Sequence, residues 1–350
     1  MNMTRHMFAG GLTPAGFIDF FDHIIPVENA VKRYFLKGAS GSGKGTFIKK
    51  IAAEFEAAGL DIDFFHCAND SKSLDGAAIK SKGFCILDAT TPHSHDPQIP
   101  AVTDEIIDFA TFLDPKKVSK HKSEIIELTA SKRRLFGQAQ KFLSLAGHIY
   151  SQTTYDAALT RLRLQELAQE YMRIFENKPH CTGKDRKLFL SAITPDGIIN
   201  FANSVLDKYN VYSICKDADA NLFLPELKTY ANTNGINTES FFCPLAPSKT
   251  VHLILPEEGV AFATSVGRFG YTGENTGKNI CGTISAGTAF RATDSNEQLL
   301  NIALDSAINA MKAARDSHNK IEDIYINAMD FSRVDELADR MIANIRQNVI

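Results

Sequence analysis

Short apolar runs alternate with amphipathic stretches along most of this chain. Residues 33–37, 62–67 and 84–88 are compact runs of aromatic and aliphatic side chains, and each predicts a strand. Between the first two, the stretch 46–58 places Phe47, Ile51 and Phe55 at near-helical spacing and predicts a helix. Strands separated by helical patterns predict an α/β fold, with parallel sheets carrying helices on both faces. Four longer stretches rich in Leu, Ala, Lys and Arg (119–147, 157–176, 296–319 and 333–347) predict long helical appendages.

The pattern is written twice. Leu12-Thr13-Pro14-Ala15-Gly16-Phe17 near the start is matched by Ile193-Thr194-Pro195-Asp196-Gly197-Ile198 past the midpoint. Each Thr-Pro reads as an N-cap followed by proline at the first helical position, which predicts a short helix in both places. Downstream, a shift of 176 residues aligns Gly59 with Gly235, Phe65 with Phe241, Cys67 with Cys243 and Gly83 with Gly259. The order and spacing of these anchors, more than residue identity, predict an internal duplication. The polar stretch Asn177-Lys178-Pro179-His180 carries proline and divides the chain into 1–178 and 179–350. The first is read as a P-loop nucleotide-binding half and the second as a degenerate P-loop-like half.

The sharpest chemical signal is Gly38-Ala39-Ser40-Gly41-Ser42-Gly43-Lys44-Gly45-Thr46, between a predicted strand and a predicted helix. Glycines let successive backbone N–H groups turn toward an anion, and the following helix adds its positive dipole end. Lys44 is expected to stand exposed in the empty loop and to reach the β- and γ-phosphates of ATP. The usual loop has a hydroxyl directly after lysine to hold Mg²⁺; here Gly45 intervenes and Thr46 follows. This form resembles the phosphate loop of adenylate kinases, in which Thr46 faces the phosphates. The strand 84–88 ends on Asp88, placing a carboxylate at the sheet edge where α/β folds bind ligands. Asp88, with Thr46, is the candidate Mg²⁺ site; the bland alternative for Asp88 is a turn cap.

Two further loops leave the same predicted edge. One runs through His66, Cys67, Asn69 and Asp70 to Ser73-Leu74-Asp75-Gly76, the other through Thr90-Thr91-Pro92-His93-Ser94-His95-Asp96. His93, with Lys44 and Asp88, completes the candidate catalytic set, and Asp75 or Asp96 also stands within reach of a second substrate or attacking water. Cys67, His93 and His95 are metal-ligating types, but their spacing matches no recurring zinc pattern. Cationic clusters at Lys132-Arg133-Arg134 and Arg161-Leu162-Arg163 are candidates for a lid over transferring phosphate, and Arg268 is a candidate contributed by the second half; such clusters are more often solvated helix faces. At the 176-residue shift Ala220 falls on Lys44 and Thr264 on Asp88, and the phosphate-loop glycines are gone. One nucleotide site is therefore expected.

Composition narrows the class. A net charge of −3 argues against a general nucleic-acid or acidic-membrane binder. No apolar run approaches the ~18 residues of a membrane span, and the start of the chain lacks the apolar core of a secretion signal. The six cysteines show no CxxC pair and read as reduced, packed thiols. These features predict a soluble cytoplasmic protein.

Taken together, these motifs resemble an uncharacterised bacterial family of duplicated P-loop NTPase-like proteins. The resemblance rests on Thr13-Pro14-Ala15-Gly16, the phosphate loop, His66-Cys67, Ser73-Leu74-Asp75-Gly76, Asp88-Ala89-Thr90-Thr91-Pro92-His93 and the closing His318, Glu322, Tyr325 and Met329-Asp330-Phe331. It implies an ATPase or nucleotide-kinase-like activity with ATP and Mg²⁺, acting on an acceptor the motifs do not name. Packing at helical spacing accounts for His318, Glu322 and Tyr325 equally well. Two classes stand: an enzyme that turns ATP over, which is preferred, and a non-catalytic module whose state switches with nucleotide occupancy.

Overall fold

The computed structural model describes residues 4–152, 161–173, 182–214, 217–265, 267–273, 276–279 and 294–348. The chain opens with β1 (Arg5–Met7) and the hairpin β2 (Gly10–Thr13) and β3 (Gly16–Asp19). Then come β4 (Lys32–Lys37), α1 (Lys44–Ala57), β5 (Asp63–His66), β6 (Leu74–Ile79), β7 (Phe84–Asp88) and β8 (Asp104–Asp108). Helices α2 (Pro115–Ser119), α3 (Lys122–Gln152) and α4 (Arg161–Met172) follow. Next are β9 (Asp185–Leu188), the hairpin β10 (Ser191–Thr194) and β11 (Gly197–Asn200), α5 (Ala202–Leu206), β12 (Asn210–Ile214) and α6 (Asp217–Thr233). Strands β13 (Thr238–Cys243), β14 (Ala246–Leu255), β15 (Val260–Thr264) and β16 (Thr276–Asn279) precede α7 (Asp294–Ile326) and α8 (Phe331–Asn348).

Two six-stranded sheets result, ordered β1-β5-β6-β7-β4-β8 and β9-β13-β14-β15-β12-β16. Strand senses match pair by pair. In the first sheet β6 runs antiparallel to both neighbours while the β1–β5, β4–β7 and β4–β8 pairs are parallel. In the second, β14 is antiparallel and the other pairs are parallel. The expected all-parallel sheets are therefore mixed ones. Residues 74–79 form a fully buried strand, not a loop leaving the edge. Asp75 and Gly76 are poor strand formers, and only pairing on both sides makes this segment extended.

Both Thr-Pro units lie at hairpin tips, not at helix starts. The Thr13 hydroxyl accepts the Ala15 N–H at 3.2 Å and donates to the Gly16 carbonyl at 2.8 Å. Thr194 does the same with Asp196 and Gly197. The glycines close the turn at φ of 106° and 108°, in the left-handed region that a helix cannot continue through.

The helices do not flank each sheet on both faces as expected. Alternate strand residues divide each sheet into an outer and an inner side. Tyr34, Phe64 and Ile86 face outward onto Phe47 and Ile51 of α1 and Val334 and Met341 of α8. Tyr212, Leu253 and Phe262 face Phe223 and Leu227 of α6 and Leu167 and Met172 of α4. The inner sides share one core, with Phe35, Phe65 and Leu87 from the first sheet and Val211, Phe241 and Ala263 from the second. The final helix of each segment is thus exchanged, α4 packing beside α6 and α8 beside α1.

The two sheets also meet through reciprocal polar contacts. Phe8 and Phe189 exchange backbone hydrogen bonds of 2.8 and 3.0 Å. Beside them Arg5 grips Asp63 with two hydrogen bonds of 2.7 Å and reaches Glu239 at 2.6 Å. Arg186 binds the same two carboxylates at 2.8 and 3.1 Å. All four side chains are buried. Helices α3 and α7 form a long pair sealed by Ala139, Leu143 and Ala146 against Leu300, Ala303, Leu304 and Ala307. No helix among the described residues is long and apolar enough to cross a membrane.

Candidate functional site

The Gly38-to-Gly43 segment joins β4 to α1, and its position is set by β4. That strand lies between β7 and β8. Arg33 anchors it through a buried two-point ion pair with Asp104, at 2.8 and 2.6 Å. The loop emerges where three parallel strands end, and helix α1 begins at Lys44 with Gly43 as its N-cap. Asp88 is in register with Leu36 on the neighbouring strand, which puts its carboxylate beside the loop.

Lys44 is not exposed. Only 6% of it is accessible. Its ammonium donates to the Gly38 and Ala39 carbonyls at 3.0 and 2.8 Å and lies 3.7 Å from the Asp88 carboxylate. A long side chain at the first turn of α1 folds back over its own loop because those carbonyls have no strand or helix partner. Asp88 caps a turn and also faces the loop lysine. One oxygen accepts from the Thr90 N–H at 3.0 Å and from the Thr90 hydroxyl, as a turn cap. The other faces Lys44.

Gly45 has a tertiary cause. A methyl group there would lie 2.3 Å from the Ser73 hydroxyl, because the start of β6 packs against the first turn of α1. The hydroxyl that usually follows the lysine has no room, and Thr46, one residue on, is exposed and lines the cavity. Gly45→Ala should destabilise the wild-type protein yet stabilise a Ser73→Gly variant. The expected coupling is on the order of 1–2 kcal/mol, since overpacking is relieved and alanine favours the helix. Denaturant unfolding of the four proteins would measure it; additive effects would show that Ser73 does not select the glycine.

Above the loop lies a cavity of about 1360 Å³. It is lined by Ser40, Gly41, Ser42, Gly43, Lys44, Gly45, Thr46, Asp88 and His93; Gly38 and Ala39 form the loop's base, where their carbonyls hold Lys44. His93 lies 3.6 Å from buried Asp75 and stacks on Phe21 at 4.8 Å, and its buried Nδ1 has no hydrogen-bond partner among the described residues. Burial pushes the Asp75 carboxyl up, against the opposing pull of His93, and the nearby Asp88 charge adds to the rise. Burial likewise pushes the Cys67 thiol up. His95 turns away, to Asp19 at 3.1 Å, and Asp96 pairs with Lys37 at 3.2 Å. Cys67, His93 and His95 do not converge, and no group of three or more His, Cys, Asp or Glu among the described residues forms a metal cluster.

The opposite wall comes from the helix pair. Met311, Arg315, His318, Glu322 and Ile326 form one stripe of α7 on the cavity, and Thr129, Lys132, Arg133 and Phe136 one stripe of α3. The Lys132-Arg133 cluster thus reaches the site. Arg268 does not; it is held by Glu297 and Asn301. The side chains of Arg161 and Arg163 lie outside the described residues. Arg315 carries no motif that singles it out in the sequence, although its stripe has a helical period. It is fixed at 2.7 and 2.9 Å by Asp196, from the hairpin of the second half.

The corresponding connection in the second half is shorter. Six residues separate β4 from α1 but only two separate β12 from α6. Helix α6 begins at Asp217, so by helix start Asp217, rather than Ala220, takes the position of Lys44. Residues 215 and 216 lie outside the described residues. Thr264 ends β15 and is buried.

No family model, curated protein or solved structure matches this chain. Its function is read from this geometry.

Proposed function

We propose that this is an internally duplicated protein of the P-loop NTPase type that binds one ATP above the Gly38-to-Thr46 loop and hydrolyses it or transfers its terminal phosphoryl group. The observation that carries the reading is the placement of Lys44. It opens a helix at the C-terminal edge of parallel strands, beneath a glycine-rich loop, with Asp88 3.7 Å away on the next strand. The matching order and sense of the two sheets support duplication.

The donor set suits Mg²⁺, which takes one or two carboxylates alongside phosphate oxygens. Asp88 and the Thr46 hydroxyl would hold it, and the ion would offset charge shared between the phosphates. Lys44 would leave the Gly38 and Ala39 carbonyls for phosphate oxygens, exchanging two neutral acceptors for an anion. His93, which lines the cavity and has its Nε2 3.6 Å from Asp75, would take a proton from the attacking water or hydroxyl.

Calorimetric titration of the full chain with ATP and Mg²⁺ should show one site, abolished or strongly weakened in Lys44→Ala. No heat would overturn the nucleotide reading. Two comparable sites would show that the second half binds nucleotide without a phosphate loop. One observation favours a switch: α7, contributed by the second half, rests on the loop at Gly41. Phosphate release or a phosphorylated acceptor distinguishes enzyme from switch, which would bind without turnover.

A further inference from the structure

The loop is in close contact with α7. A methyl group on Gly41 would lie 2.6 Å from the Glu322 carbonyl oxygen and 2.9 Å from its Cα, so helix backbone and loop backbone touch. Gly41 also has φ of 76°, and both facts demand glycine there. The Glu322 side chain lines the same cavity as Lys44 and the loop amides. Its carboxylate is held by the His318 ring at 3.4 Å, and His318 is in turn 3.2 Å from the Lys132 ammonium. The turn after α7 is fastened to the first sheet's edge, where Asp114 and Asp330 donate N–H bonds to Ala328 and Phe112 at 2.9 Å. The backbone of Glu322 is therefore held against the loop, and its carboxylate is held by His318.

The His318 ring holds the Glu322 carboxyl below the usual carboxylate range, and the Gly41 N–H and Lys44 pull in the same direction. An ionised carboxylate that lines the cavity above a phosphate loop has the charge and hydrogen-bonding character of a phosphate oxygen. In such a loop the amides cradle the inner phosphates and the lysine reaches the outer ones.

We propose that Glu322 is a specificity residue that occupies the place of the terminal phosphate, so that the site with α7 docked takes a nucleoside diphosphate and a triphosphate must displace it. The inference rests on the nucleotide reading. Seating the last phosphate against an undisplaced carboxylate brings two anions together. The extra phosphate is thus admitted only as α7 gives way. Because α7 belongs to the pair with α3, the triphosphate and diphosphate forms would differ in how that pair sits on the loop.

The test compares ATP and ADP affinities of the full chain, by calorimetry with Mg²⁺, for the wild type, Glu322→Gln and Glu322→Ala. Glu322→Gln keeps the shape and removes the charge, and its half-buried position on a helix surface makes it compatible with folding. The ratio of ATP to ADP affinity should rise about tenfold or more in both variants, a change of ~1.4 kcal/mol. A ratio unchanged within about twofold, with both nucleotides still bound, would overturn the role of Glu322 and leave the nucleotide site standing. Failure of all three proteins to bind either nucleotide would overturn the nucleotide reading itself, and this inference with it.

Discussion

Arg5→Ala lowers folding stability by about 3–5 kcal/mol, because it leaves two buried carboxylates short of their main partner. Asp63 loses a two-point ion pair and Glu239 its shortest arginine contact, at 2.6 Å. Arg186 and Lys80 remain, but each already serves these groups from its own side. The network joins the first sheet to the second, so the loss should appear as one cooperative shift in denaturant midpoint rather than as separate melting of one sheet. A change below about 1 kcal/mol would mean that Arg186 and Lys80 can hold both carboxylates alone.

The same network sets an acid limit. Burial alone would raise the Asp63 carboxyl, but Arg5 and Arg186 outweigh it and lower it from 3.8 to about 2. Glu239 is driven down for the same reason, against its own burial. Groups depressed in the folded state stabilise it fully above their unfolded values and lose that contribution as pH falls through the folded ones. Stability of the wild type should therefore fall between about pH 4 and pH 2. Arg5→Ala, whose carboxylates lack that support, should show a shallower fall over the same window.

Asp88→Asn should reduce ATP turnover ~100-fold or more while nucleotide binding persists. The asparagine carbonyl can still accept from the Thr90 N–H and hydroxyl, so the turn after β7 stays closed. What disappears is negative charge beside Lys44 and the phosphates. Comparing the rate with that of Thr90→Ala separates the proposed role of the Asp88 charge from the turn that Asp88 caps. If the Asp88→Asn protein keeps the parental rate while Thr90→Ala does not, turn geometry is the whole of its contribution.

Much of the local structure is legible in short patterns. The strand 84–88 and the helix after the glycine-rich loop follow from apolar spacing, because a buried face must repeat with the period of its backbone. Of the long helices, 296–319 and 333–347 lie within α7 and α8, 119–147 is broken between α2 and α3, and 157–160 and 174–176 of the fourth stretch lie outside the described residues. The loop Gly38-to-Thr46 and Asp88 are adjacent in sequence to those elements, so their meeting at one sheet edge could be expected from connectivity. The hairpin tips read as helix starts because Thr-Pro serves both structures locally. The Thr13 hydroxyl and the positive φ of Gly16 select the turn.

What the sequence determined by itself was therefore the periodic elements, the repeated order of anchors and the glycine-rich loop with its lysine. Each of these depends on residues near one another along the chain. Tertiary structure alone decided that β6 is a buried antiparallel strand, that the inner faces of two sheets share a core and that the last helices are exchanged. It also decided that Ser73 makes residue 45 a glycine, and that Arg315, His318 and Glu322 face a loop from the far end of the sequence. No local pattern encodes those contacts. They arise from packing between surfaces whose hydrophobic stripes are visible in the chain but whose partners are not, and the polar residues along the rim of each stripe acquire their roles only when the partner is in place.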